Sequence, residues 1–250
     1  MVPWEATTVS TCTADPTSTP VPTTTAKPTA PPVEVGTATE LNDAVVGAAS
    51  GHNIVVTAAA VALEGRLVFP VGLADVALRG ERGGRTTLQG DGSFMLIWVK
   101  RTRLTLEDLV LTGGYSSTSG GAVFVYEGVL WARRCTLSDK SALKNGGAIL
   151  IQQSTAAIED STFDHNTAVE GSGGAMRVYF DSMATFLRTI FTDNVAGARG
   201  GAVSFDLNEP SYTDPSLMED CRVASNTATT GGRHRCYRPS DHRRGPHHPL

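Results

Sequence analysis

The sequence predicts an all-β fold, a right-handed parallel β-helix, and three observations carry that prediction. Gly-Gly-Ala recurs at Gly120-Gly121-Ala122, Gly146-Gly147-Ala148, Gly173-Gly174-Ala175 and Gly200-Gly201-Ala202, at steps of 26, 27 and 27 residues. A second mark, Phe-x-x-Asn, precedes the later pairs at Phe163–Asn166 and Phe191–Asn194, and as Val223–Asn226. Weaker versions stand at Leu111–Gly114 and Leu137–Lys140. After each Gly-Gly-Ala come two apolar residues one apart: Val123/Val125, Ile149/Ile151, Met176/Val178 and Val203/Phe205. Period two is the signature of a strand with one buried face. A fixed period of this size makes each repeat one supersecondary unit, which buries its apolar face only against its neighbours. A period of 26 residues suits three short strands and three turns, one coil of a solenoid. Successive coils then hydrogen-bond at about 4.8 Å spacing.

From the N-terminus, residues 1–35 read as a disordered segment. Residues 7–32 hold ten Thr, two Ser and six Pro, too little apolar surface to offset the entropy of ordering. Such a tract is either an O-glycosylated extracellular stalk or a plain linker. Met1-Val2-Pro3-Trp4-Glu5 has neither the basic start nor the apolar core of a secretion signal. Thr39 to Ala49 reads as a short helix that closes the end of the solenoid. Leu41, Ala44, Val45 and Ala48 follow helical spacing, with Thr39 as expected N-cap and Gly51 as expected stop. Strands are expected at Ile54–Val56, Leu67–Phe69, Val76–Leu78 and Phe94–Ile97, separated by turns at Arg82-Gly83-Gly84 and Gly90-Asp91-Gly92. Residues 36–232 form the β-helix, with regular repeats over 106–232.

Residues 233–250 break the pattern. A fifth pair, Gly231-Gly232, is followed by Arg233, and the tail holds five Arg, four His and three Pro. It is a disordered basic tail, a metal-binding tail, or the mark of a truncated or frame-shifted gene model, and the abrupt end of the repeat favours the last. A solenoid ending there has an uncovered coil, open to end-to-end association.

Composition narrows the function classes. The formal net charge of -4 divides into an acidic body and a basic tail, so a nucleic-acid partner finds no support. No apolar run reaches the roughly 20 residues of a transmembrane helix. Of Cys12, Cys135, Cys221 and Cys236, the middle two share one repeat column with Ser161 and Thr189. Three coils separate them, about 14 Å, so they are expected to be buried thiols rather than a disulfide.

Aligned repeats give columns. Leu106, Ala132, Ile158, Phe186 and Met218 are all apolar and expected inward. Asp108, Arg134, Asp160, Arg188 and Asp220 alternate in sign, as do Glu107, Arg133 and Glu159 in the neighbouring column. Opposite charges on adjacent strands favour pairing, so this is expected to be a register-setting ladder rather than a binding stripe. Asn166, Asn194 and Asn226 are expected to be structural, since Asn tolerates the left-handed conformation and bonds nearby backbone. Asp139, His165 and Asp193 set a histidine between two carboxylates, which raises its pKa. That column is an acid/base or metal group, or a solvated turn, and the turn is the favoured reading. Finally, Tyr126, Gln152, Tyr179 and Asp206 share an outward column beside Arg177, a mix of aromatic, amide and charged groups able to grip an extended chain such as a polysaccharide.

The paired marks Gly146-Gly147-Ala148-Ile149 with Phe163-Asp164-His165-Asn166 and Phe191-Thr192-Asp193-Asn194 resemble the repeats of polymorphic outer membrane proteins. Those are chlamydial surface adhesins and autotransporters. The resemblance covers residues 106–232 and implies an extracellular or cell-surface solenoid whose motifs shape the fold, with no catalytic residue to carry over. The helix-then-strand start, Glu40 to Val56, is also similar to pectin-lyase-like β-helices, which implies polysaccharide lyase or hydrolase activity as the alternative. Such chemistry needs clustered carboxylates. The acidic columns here are interleaved with arginine, and Asp181 with Asp206 is the nearest approach to a catalytic pair. The sequence therefore indicates a non-catalytic scaffold for adhesion or for glycan or protein binding. It indicates no metal and no cofactor.

Overall fold

Each regular coil contains four strands, one more than the repeat length implies. The computed structural model describes residues 10–11, 30–81, 86–205 and 217–230. Asp206, Cys12, Cys236, the turn at Arg82, the basic tail and most of the Thr/Pro segment lie outside these residues. Arg103–Glu107 belongs to sheet I, Leu109–Thr112 to sheet II, Tyr115–Ser116 to sheet III and Val123–Tyr126 to sheet IV; the next coil then begins at Val129–Arg133. The sheet III strands are two residues long, and their shortness hides them from an alternation test. Their second residue is inward and small, as with the buried Ala142, Ala168 and Ala196.

Sheets I and II have eight strands each, sheet III five and sheet IV six, and nearly all neighbours pair in parallel. The fold is an all-β parallel solenoid with one short helix. Its core is the stack of inward columns. Leu106, Ala132, Ile158, Phe186 and Met218 are all buried, as their alignment predicted. In sheet II the Phe of the second mark stacks on its successor, Phe163 on Phe191, with ring centroids 5.0 Å apart and planes within 15°. Phe186 meets Phe191 edge-on at 5.4 Å. Offset stacks and edge contacts of this kind add to the area the rings bury.

The two glycines of each pair answer different demands. Gly146 has φ +59°, the left-handed region where a Cβ is strained. Gly147 does not, but a Cβ there would sit 2.1 Å from the carbonyl oxygen of Gly174 in the next coil. Main chains of adjacent coils touch at this edge: Gly121 N–H donates to Gly147 O at 3.0 Å, and Ala122 N–H to Ala148 O at 2.8 Å. The following alanines are fully buried in the corner.

The helix runs over Ala38–Val46, starting one residue and ending three residues earlier than its periodicity indicated. Its N-cap is Thr37, not Thr39, because Thr37-x-x-Glu40 makes a capping box. Glu40 N–H donates to the Thr37 hydroxyl at 3.2 Å, and Glu40 Oε2 accepts from Thr37 and Gly36 N–H at 3.1 and 2.8 Å. Gly47 ends the helix; Gly51, φ +82°, turns the chain toward the next strand. Leu41 and Val45 are buried, so the helix covers the first coil.

Other boundaries also moved. Pro32–Val35 is the first strand of sheet I, paired with Asn53–Val56, inside the segment read as disordered. Pro31 and Pro32, the residue before the strand and its first, mask the Val33-x-Val35 alternation. Ser10–Thr11 pairs antiparallel with Arg222–Ala224. The strand expected at Phe94–Ile97 is Ile97–Lys100, in register with Val123–Tyr126. Leu96 is buried in the corner before it, which explains the apolar run.

Candidate binding face

Four corners separate the four strands, and each uses a left-handed residue, with two in succession, Phe180 and Asp181, at one IV–I corner. At the I–II corner these are Asp108, Arg134, Asp160, Arg188 and Asp220, with φ between 48° and 57°. At the II–III corner they are Gly113, Asp139, His165, Asp193 and Ser225; at the IV–I corner, Arg101, Glu127, Gln153 and Phe180. At these three corners the next residue often turns a small polar group inward onto main-chain carbonyls. Ser161 Oγ donates to Glu159 O at 2.7 Å, and Ser154 Oγ to Gln152 O at 2.7 Å. Cys135 and Cys221 do the same weakly through Sγ, to Arg133 O at 3.4 Å and Glu219 O at 3.2 Å. Both are buried and unbridged. Burial pushes the Cys135 thiol up to about 12 and the Cys221 thiol to about 11, so neither is a ready nucleophile.

The alternating column is paired. Arg134 is bidentate to Asp108, Nε–Oδ1 2.6 Å and NH2–Oδ2 2.7 Å, and also reaches Glu107. Arg188 binds Asp160 at 2.6 and 3.0 Å. Asp160 is held low chiefly by that hydrogen bond. Asn166, Asn194 and Asn226 are not left-handed; the residue before each is. Buried, they form a hydrogen-bonded ladder along the solenoid, and Lys140 stands at the same position one coil earlier.

His165 lies in the exposed II–III corner. Its pKa is raised mainly by Asp164, whose Oδ2 is 2.8 Å from Nδ1; Asp193 and Asp139, the partners the column predicted, contribute less. Adjacent carboxylates in one chain reach a side chain more closely than those a coil away. Ligand atoms of Asp164, His165 and Asp193 lie within 4.8 Å of one another. Asp164 is already engaged by Thr192 Oγ1 at 2.6 Å.

The sheet IV face is where aromatic and cationic groups converge. Inward residues such as Val99, Val125, Ile151 and Val178 anchor it. Outward, Lys100, Tyr126, Gln152 and Tyr179 lie on successive strands in direct register, and so do Trp98, Phe124, Leu150 and Arg177. Leu150 is buried between its register neighbours and offers nothing to a ligand. Lys100 Nζ lies 5.7 Å from the Tyr126 ring centroid, Arg177 Cζ 5.0 Å from that of Tyr179, and Arg66 Cζ 5.2 Å from that of Trp98. These cations sit over ring faces. Along the IV–I corner runs an open groove of about 320 Å³, rimmed by Arg101, Glu127, Gln153 and Asp181. Arg101 pairs with Glu127. That hydrogen bond, then one from Tyr126, keeps Glu127 below the usual carboxylate range, and Glu127 pushes the Tyr126 phenol up.

Thus Tyr126, Gln152, Arg177 and Tyr179 share one face, while Asp139, His165 and Asp193 lie at another corner. Trp98, Lys100 and Arg101 escaped the sequence reading because their coil lacks a Gly-Gly-Ala, and Glu127, which follows one, because it turns the corner beyond the alternating strand. The Ile97-x-Val99 alternation would have found the first two.

No known family matches the chain, and no curated protein matches it. Among solved structures it is similar to a PL6 family alginate lyase, AlyGC, at 12% identity and a TM-score of 0.36. That match covers 79% of this chain and 39% of the lyase chain.

Proposed function

We propose that the protein is an extracellular or cell-surface β-helix scaffold that binds a linear polysaccharide along the outward face of sheet IV without turning it over. The observation that carries this reading is the column Lys100–Tyr126–Gln152–Tyr179, one side chain per coil in unbroken register. Its spacing is about 4.8 Å. A rigid row of this pitch suits an extended chain of rings, which stack on the tyrosines while Gln152 and the cations take hydroxyl or carboxylate groups. Because the coils fix the backbone of the row, little backbone entropy remains to be lost on binding. The Thr/Pro composition and the resemblance to surface-protein repeats support the extracellular placement.

Retention of the full chain on immobilised linear glycans, neutral and acidic, tests this. Tyr126→Ala with Tyr179→Ala is expected to weaken retention at least ten-fold while leaving the circular dichroism unchanged. Retention equal to the wild type would remove sheet IV as the site. Release of new sugar ends, abolished by the same substitutions, would replace the scaffold with the polysaccharide lyase or hydrolase reading.

A further inference from the structure

The groove at the IV–I corner and the tyrosine row of sheet IV are built side by side. Each residue of the row is followed by one that turns the corner: Lys100 by Arg101, Tyr126 by Glu127 and Gln152 by Gln153. The rim of the groove is therefore a second column, parallel to the first. With Asp181 it spans three coil spacings, about 14 Å. Behind this rim the groove opens toward sheet I, whose first residues Arg103, Val129 and Thr155 line it. Arg101 and Glu127 are paired with each other. The side chains of Gln153 and Asp181 have no hydrogen-bond or ion-pair partner among the described residues.

At Asp181 the corner departs from the repeat. Elsewhere it holds two residues between the paired strands, Glu127 and Gly128 or Gln153 and Ser154; here it holds three, Phe180, Asp181 and Ser182. Ser182 takes the place of Ser154: its Oγ accepts Ser154 N–H at 3.1 Å, as Ser154 Oγ accepts Gly128 N–H at 2.9 Å. The carbonyl of Phe180 accepts Gln153 N–H at 2.9 Å, where in the preceding coil Gln152, the last residue of its strand, accepts from Glu127. Phe180 is thus the added residue, and Asp181 is the corner residue of the rim. Phe180 is left-handed, φ 53°, and 45% exposed, with its ring centroid 5.4 Å from that of Tyr179. A bulky side chain is costly in that conformation, and one so exposed returns little of the cost through packing.

We infer that the groove is a subsite for a single neutral sugar unit, carried as a side branch by the polysaccharide on sheet IV, with Phe180, Asp181 and Gln153 as its contacts. The inference rests on the sheet IV reading and narrows its ligand to a branched glycan. A main chain that follows the row runs beside the groove, so a substituent is what crosses the corner into it. The ring of Phe180 offers an apolar face to the C–H face of a sugar, and Gln153 both donates and accepts. Asp181 accepts from hydroxyl groups and repels a uronate. A few polar groups placed in this way fix the orientation of a small ligand.

Calorimetric titration of the full chain with matched oligosaccharides tests this: mannopentaose with and without a galactosyl branch, and cellotetraose with and without xylosyl branches. The branched member of a bound pair is expected to bind about ten-fold more tightly. Gln153→Ala with Asp181→Ala is expected to abolish that preference and to leave the affinity for the unbranched member unchanged. Phe180→Gly, which suits the left-handed backbone, is expected to lose the preference with no fall in thermal midpoint. A Phe180 that serves the fold alone would instead lower the midpoint and keep the preference, which would overturn its role. Equal affinity for both members of a bound pair would overturn the subsite and leave the sheet IV reading in place. Binding of neither member of either pair would remove both.

Discussion

Asn166 and Asn194 are joined twice. The Nδ2 of Asn166 donates to Oδ1 of Asn194 at 2.9 Å, and the same oxygen accepts the Asn166 backbone N–H at 3.0 Å. Asn194 repeats this toward Asn226 at 2.7 and 3.0 Å, and its Nδ2 also reaches Phe163 O at 3.0 Å. One side-chain type thus satisfies the polar groups that the II–III corner buries, coil after coil. Truncating the central member, Asn194→Ala, orphans several of them and is expected to cost about 3 kcal/mol. Urea unfolding measures it; a loss within the range of ordinary surface substitutions would mean that water replaces the ladder.

Lys140 ends that ladder, one coil before Asn166. It is almost fully buried, its Nζ donates to Ser138 O at 2.9 Å, and burial pulls its pKa down from 10.5 to about 7. Between those values the unfolded chain binds more protons than the folded one, so stability rises with pH from about 7 to 10.5. Below that window the penalty is constant. Lys140→Asn, which extends the ladder toward Leu111 O, is expected to raise stability at neutral pH and to flatten that slope. Parallel slopes for both proteins would show that Lys140 is not the titrating group.

Reversal of Arg134 to Asp sets a third carboxylate against Asp108 and Glu107. Both partners are partly exposed, so a loss of about 1–2 kcal/mol is expected, larger than for Lys144→Asp and reduced in molar salt. Equal small losses at the two sites would leave the column without a role in register.

Glycine substitutions separate the two demands of the Gly-Gly corner from simple flexibility. Gly147→Ala forces a Cβ against Gly174 O and is expected to lose at least about 3 kcal/mol or prevent folding, whereas Gly65→Ala has nothing within 4 Å of its Cβ and should be nearly neutral. Expression and thermal midpoints of the pair decide it.

The His165 titration should report its sequence neighbour rather than its column. By NMR its pKa is expected above 6.5 in the wild type and to fall in Asp164→Asn, with a smaller change in Asp193→Asn. Its ion pair with Asp164 contributes at low pH and is lost as pH rises through the raised value. A larger response to Asp193→Asn would restore the cross-coil reading.

The repeat, the strand direction of each apolar column and the buried thiols at Cys135 and Cys221 were determined by sequence alone. Stacking forces every equivalent position into the same environment, so four copies of a motif report one local geometry four times. The sequence also specified the register of Tyr126, Gln152 and Tyr179. What only the tertiary structure decided is what lies between the copies. The two-residue strands of sheet III are too short to alternate. Asp is the commonest residue at the left-handed corners, but Arg, Glu, Gln and Phe fill them too, because neighbouring coils fix the backbone whatever the side chain. The groove beside Glu127 and the pairing of Ser10 with Val223 join residues remote in sequence, and no local pattern encodes a contact whose partner is supplied by the stacking itself.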